Sequence, residues 1–168
     1  MDVSLSQAQM LTSPNPFCLV GSLTKKGTTN LMAVSWWTYL SNRPASIAVC
    51  INAKAYTNQR IKETGEFSVC VADESLAKAA MQCGTTSGRT VDKAAVYGIE
   101  LTPSLEIAPA LVKKSRVAME CRTMQCVPLS DHDLFIAEVV ALRTNASYRA
   151  LFATKGYGEL LPVSLRPD

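Results

Sequence analysis

Ser115-Arg116-Val117-Ala118-Met119-Glu120-Cys121-Arg122-Thr123-Met124-Gln125-Cys126-Val127 is one of two runs that decide the fold class. After Pro128-Leu129-Ser130-Asp131 comes the other, Leu134-Phe135-Ile136-Ala137-Glu138-Val139-Val140-Ala141-Leu142. In the first, Val117, Met119, Cys121 and Thr123 share one face of an extended chain, and Arg116, Glu120 and Arg122 fall largely on the other. The second is strongly apolar. Two long strand candidates joined by a short polar link read as a hairpin, and hairpins build antiparallel sheets.

Working outward, the same pattern recurs. Phe17–Leu23 is a buried strand closed by the turn Lys25-Lys26-Gly27, and Asn30–Tyr39 is a second strand across that hairpin. Ser41-Asn42-Arg43-Pro44 breaks it, Ser46–Ile51 is a third strand, and Phe67–Val71 a fourth. Two helices interrupt this order. One covers Gln59–Glu63, with Thr57 as a plausible N-cap and Gly65 as its end. The other covers the Ala-rich stretch Ser75–Cys83. The first dozen residues suit a short lead-in helix or an edge segment. Pro103 and Pro109 confine any strand between Val96 and Pro109 to an edge. At least six strands with inserted helices argue for a mainly β (α+β) antiparallel barrel, not a doubly wound sheet. With 168 residues, and neither repeat nor linker, residues 1–168 read as a single domain.

Composition narrows the partners. The chain is 48% hydrophobic and 18% charged, with a net charge of +3. Its basic residues are scattered, which disfavours nucleic acid. No apolar run approaches the roughly 20 residues of a membrane span, and no basic-then-apolar leader opens the sequence. Six irregularly spaced cysteines, three of them inside apolar strands, fit a reducing cytoplasm.

Most catalytic signatures are absent: there is no Gly-x-Gly-x-x-Gly, no P-loop and no Gly-x-Ser-x-Gly elbow. Redox chemistry, if any, must therefore come from a bound cofactor. A metal site built from Cys83, Cys121, Cys126 and His132 lacks any Cys-x-x-Cys pair, so buried structural cysteines are the better reading. Five places differ from plain core. Trp36 and Trp37, adjacent on a strand, must face opposite ways, so one meets a ligand, a partner or another part of the core. Asn52–Asn58 runs from a strand into a helix start, where Lys54 and Thr57 suit a phosphate as well as an ordinary cap. Thr85–Lys93 carries hydroxyls, Gly88 and two cations, fit for an anion or for a plain surface loop. Ser130-Asp131-His132-Asp133 sets the lone histidine between carboxylates, which tend to favour its charged form. Gly156-Tyr157-Gly158 suits a turn.

In order, these segments resemble the flavin-reductase-like family, its flavoredoxin members above all. The resemblance is carried by Pro14-x-Pro16 before a strand, Gly27 in the hairpin, and Asn30 leading to Ser35-Trp36. It continues through Thr57-Asn58 before Ile61–Phe67, Ser87-Gly88-Arg89 with Asp92-Lys93, and Asp131-His132 before Phe135–Val139. It implies a six-stranded split barrel that forms a homodimer with FMN at or between the subunits. Lys54, Thr57 and Asn58 would hold the FMN phosphate. Ser87, Arg89 and Lys93 would add contacts to the phosphate and ribityl chain. Ser35, Trp36, Trp37 and Thr38 would border the ring, with Asn30 near the flavin. His132 would lie by the ring or an incoming nicotinamide, as the catalytic candidate. The C-terminal tail offers only an aliphatic cover such as Leu165. The implied functions are an NAD(P)H:flavin oxidoreductase, an FMN electron carrier serving a redox partner protein, or a flavin-storing or sensing protein.

Overall fold

The computed structural model describes residues 4–163; Leu165 lies outside them. The elements in chain order are α1 (Leu5–Leu11), β1 (Asn15–Pro16), β2 (Cys18–Leu23), β3 (Thr29–Val34), β4 (Trp37–Asn42) and β5 (Ala45–Asn52). Next come α2 (Tyr56–Thr64), β6 (Glu66–Ala72), a 3-10 turn (Glu74–Leu76), α3 (Ala77–Thr85) and α4 (Lys93–Val96). The chain continues with β7 (Leu101–Thr102), β8 (Leu111–Val112), β9 (Ser115–Pro128), β10 (His132–Thr144), β11 (Leu151–Thr154) and β12 (Glu159–Pro162).

The mainly β architecture is as expected, but the principal sheet has seven strands, not six, in the order β3-β2-β6-β9-β10-β5-β4. The extra strand comes from a break. The strand expected over Asn30–Tyr39 stops at Val34 and resumes at Trp37, with Ser35-Trp36 between. Its halves then stand at opposite edges of the sheet. Three steps of about 3.8 Å reach at most ~11 Å, whereas a flat seven-stranded sheet is about 29 Å wide. The sheet must therefore curl until its edges nearly meet at Ser35-Trp36. No ladder pairs β3 with β4, so the barrel stays split.

Curling is eased by the hairpin of β9 and β10, whose register shifts twice, at Ile136/Ala137 and Val139/Ala141. Each irregularity adds bend and twist to a long strand. Alternation then explains the apolar runs. Cys18 and Val20 of β2 point into the barrel beside Val49, Phe67, Met119 and Phe135. Phe17 and Leu19 point outward against Ala80 of α3, Leu111 and Leu151. A strand covered on both faces reads as continuous hydrophobicity. Within the tail, unassigned from sequence, β11 and β12 pair and join β1 in a small sheet.

Helix α2 is longer than expected and begins earlier. Its N-cap is Ala55, which makes no side-chain capping bond, so Thr57 is not the cap. Gly65 does end it, at φ +74, donating to the Ile61 carbonyl at 2.7 Å. That left-handed conformation favours glycine.

Candidate functional site

The split at Ser35-Trp36 opens onto a cavity of about 400 Å³, lined by Met32, Val34, Ser35, Trp36, Cys50, Asn52, Met81, His132 and Tyr157, among others. The ladder of β5 and β10 places Asn52 opposite His132, which brings both to this wall. The His132 ring lies 4.9 Å from that of Trp36, tilted by 36°. His132 Nδ1 is 2.9 Å from Asp131 Oδ1. Donation across that distance fixes the tautomer of the neutral ring and leaves Nε2 as the nitrogen available to a ligand. The same hydrogen bond is the main reason the Asp131 carboxyl sits below the usual carboxylate range.

A second cavity, of about 300 Å³, adjoins the first through Met32, Gly84 and Thr85. Lys54, Ala55, Tyr56 and Thr57 from the start of α2 line one side, and Thr86, Ser87, Gly88, Arg89 and Lys93 the other. With no side chain capping α2, its first-turn N–H groups are left for a ligand. Asn30 Nδ2 donates to Thr57 Oγ1 at 2.9 Å. Asn30 is buried, and its Oδ1 has no partner. A Cβ built on Gly88 would stand 1.8 Å from that oxygen, so only glycine lets the loop come this close to Asn30.

The cations here are of two kinds. Arg89 is exposed, donates to Gln59 Oε1 at 3.1 Å and lies 5.1 Å from the Tyr56 ring centre. Lys93 is buried, and its ammonium donates to the carbonyls of Leu31 (2.8 Å) and Cys83 (2.7 Å). It thus satisfies a carbonyl in the last turn of α3 and ties that helix to β3. Burial pushes this lysine below its ordinary range.

Of the residues singled out from sequence, Ser35, Trp36 and His132 gather at the larger cavity, and Asn30, Lys54, Thr57, Ser87, Arg89 and Lys93 at the smaller. The side chains of Asn58, Trp37 and Thr38 are not brought to either. Asn58 Nδ2 donates to the Ile51 carbonyl (3.2 Å) and to Asp133 Oδ2 (2.8 Å), which commits it to the packing of α2 on the sheet. Trp37 packs against the barrel core, and Thr38 is exposed. The break between Val34 and Trp37 is the reason: it separates Trp36 from the strand that holds its neighbours. Gln9, Met81 and Tyr157 line the larger cavity without having stood out as site residues in the sequence. The available signal was Gly156-Tyr157-Gly158, whose first glycine, at φ +67, abuts Met10 of α1 and donates to Ser13 Oγ at 3.0 Å. Cys83 and Cys121 fall in separate core clusters, which divides the cysteines considered as metal ligands.

Known proteins are similar to this chain in sequence and in fold. An uncharacterized protein of Archaeoglobus fulgidus is 33% identical over 120 residues, 71% of this chain and 68% of that one. The flavoredoxin of Desulfovibrio vulgaris (Miyazaki F) superposes with a TM-score of 0.86 at 23% identity, covering 100% of this chain and 96% of its own. An FMN-binding protein from Thermus thermophilus superposes at 0.80 with 22% identity, covering 94% and 93%. At such identities these structures speak to the fold, a split barrel. Residues 10–161 match the family model of the flavin reductase like domain, and the chain belongs to that family.

Proposed function

We propose that this chain is an FMN-binding redox protein with NAD(P)H:flavin oxidoreductase activity. The observation that carries the reading is the pairing of two adjoining cavities of opposite character. The smaller has an uncapped helix start, hydroxyls and cations; the larger is mostly apolar and bordered by Trp36 and His132. A phosphate and a flat aromatic ring on one short linker have that division. Two details fit FMN specifically. The orphaned Asn30 Oδ1 asks for a hydroxyl donor, which the ribityl chain has. The close approach at Gly88 leaves room for a linker where a side chain would intrude.

In this reading the N–H groups of the first turn of α2, with Lys54, Thr57, Ser87 and Arg89, bind the phosphate. Lys93 holds the loop and α3 in place. Trp36 and the backbone of Ser35-Trp36 border the ring and exclude water from one edge. His132, oriented by Asp131, faces the ring or the nicotinamide. When bound, FMN supplies the hydride- or electron-accepting chemistry. A homodimer is part of the proposal, supported by the apolar side chains left exposed on α1 (Leu5, Met10, Leu11) and β4 (Tyr39, Leu40); a cytoplasmic setting is proposed from the six free cysteines.

The test is the visible spectrum of protein incubated with FMN and desalted, followed by turnover with NADH and NADPH. Flavin retained at about one per chain, and oxidation of either nucleotide, is the expected outcome. Protein that keeps no flavin and oxidises neither nucleotide would overturn the reading. Exposure of Trp36 at the cavity mouth also suits a protein partner. Flavin retained but reduced only by an iron–sulfur donor would make the chain a carrier.

A further inference from the structure

Asn52 ends β5 and lines the larger cavity. Its Oδ1 accepts from Lys54 N at 2.9 Å. Only the oxygen end of an amide can meet a backbone N–H, so this bond fixes which way round the side chain sits. Nδ2 is left over, and among the described residues it has no hydrogen-bond partner. The turn itself is braced: Ala55 N donates to the Asn52 carbonyl at 3.0 Å, and Ala53 N to the Asp131 carbonyl at 2.9 Å. The amide is therefore set in place before any ligand arrives.

Directly across the ladder stands His132, whose Nε2 is left as an acceptor by the bond to Asp131. Opposed residues of an antiparallel pair hold their Cβ atoms about 4.5–5.5 Å apart on one face of the sheet. A donor and an acceptor thus stand side by side on one wall. That wall carries no lysine, arginine, aspartate or glutamate among the described residues. A neutral group with a carbonyl oxygen and an N–H on the same carbon pairs with both, whereas a carboxylate would meet the lone pair of Nε2. A primary carboxamide is such a group.

We propose that Asn52 and His132 read the carboxamide of the nicotinamide hydride donor, with Asn52 Nδ2 donating to its oxygen and His132 Nε2 accepting from its nitrogen. The inference rests on the redox reading above. It makes Asn52 the residue that selects the hydride donor, and it gives His132 a defined partner. The carboxamide is carried next to the carbon that releases the hydride, so holding it sets how that carbon meets the flavin. The pyrimidine edge of the flavin is the competing occupant. That edge flanks one N–H with two carbonyls, whereas the pair offers one donor, which matches a carboxamide.

Reduction of the FMN-loaded chain by the reduced dinucleotide and two analogues tests this. The acetylpyridine analogue has a methyl in place of the amide nitrogen, and the deamido analogue has a carboxylate. KM is compared rather than kcat, because the three differ as hydride donors. Both analogues are expected to show a KM about tenfold above the parent's. Asn52→Asp keeps an acceptor for Lys54 N and removes the N–H groups. It should raise KM for the parent about tenfold, with kcat changed less than about threefold, FMN affinity held within about twofold and the melting temperature unchanged. His132→Ala should abolish the preference for the parent over the acetylpyridine analogue. An unchanged KM in Asn52→Asp would overturn the inference and leave Asn52 as a turn residue. Equal losses of FMN affinity and KM would overturn it in favour of the pyrimidine edge. FMN retained but reduced by no nicotinamide sinks this inference alone; no flavin retained and no turnover sinks the FMN reading as well.

Discussion

Asn30 on β3 and Thr57 in the first turn of α2, far apart in sequence, are joined by a 2.9 Å hydrogen bond from Asn30 Nδ2 to Thr57 Oγ1. The bond sets the distance between the sheet and the helix start, and so the width of the phosphate-sized cavity. It uses the donor end of the amide and leaves Oδ1 buried and unpartnered where Gly88 comes closest. A buried acceptor without a partner costs about 1–3 kcal/mol, which a ligand hydroxyl placed there would relieve.

Asn30→Ala should therefore weaken FMN binding by about tenfold or more while costing the apo protein little stability, since the variant also removes the orphaned oxygen. Equilibrium dialysis with FMN, beside thermal melts without it, separates the two effects. A variant that lost stability and kept full FMN affinity would show that Asn30 is only a strut.

Much of this was legible beforehand, and the misses have physical causes. The long strands were readable because alternation and apolar runs mark the two sides of a curled sheet, as in β9 and β10. The strand break at Ser35-Trp36 is hidden because a strand that bends out of its sheet keeps the composition of a strand. Only the position of β3 and β4 at opposite edges reveals the break. The helix start near Thr57 is legible, but the sequence offers its hydroxyl only a cap or a phosphate, and the cap is Ala55. The true partner, Asn30, is a tertiary contact with no local trace. The tail hairpin of β11 and β12 was missed because strands of four residues carry too little pattern. Asn58 looked like part of the cradle by position alone, whereas helical geometry turns its side chain to Asp133.

His132→Ala is expected to slow reduction by NAD(P)H about tenfold or more, with FMN affinity changed by less than threefold. The imidazole borders the apolar cavity and is held by Asp131, away from the phosphate end. Stopped-flow reduction of the bound flavin gives the rate, and fluorescence titration gives the affinity. Equal losses in both would reassign His132 to binding.

Asp133 controls how stability responds to acid. Its Oδ2 accepts from Lys62 Nζ at 2.6 Å and from Asn58 Nδ2 at 2.8 Å, joining α2 to β10. The hydrogen bond from Lys62 is the main cause holding this carboxyl below its usual range. A lowered folded pKa gives stability that is complete above the unfolded value of about 3.9 and is lost as pH falls through the folded pKa. Asp133→Asn can still accept from Asn58 but offers Lys62 no charge. Its expected signature is a loss of about 1–3 kcal/mol at pH 7 and a flatter decline between pH 5 and pH 2, read by denaturant unfolding across that range. An unchanged acid limb would move the acid sensitivity to another carboxylate.

Glu120 should affect the fold without touching the cavities. It is fully buried on β9, and its carboxylate accepts from the backbone N–H groups of Leu105 (2.9 Å) and Glu106 (2.6 Å). These bonds hold the loop between β7 and β8 against the sheet. Charge-assisted bonds to a carboxylate are worth about 1.5–3 kcal/mol each, and an amide would turn N–H groups toward the same donors. Glu120→Gln is therefore expected to lower stability by about 2–3 kcal/mol and to speed amide exchange at Leu105 and Glu106, while FMN affinity holds within twofold. Hydrogen exchange read at those two residues is the decisive measurement, because a general loss of packing would raise exchange along the barrel strands as well.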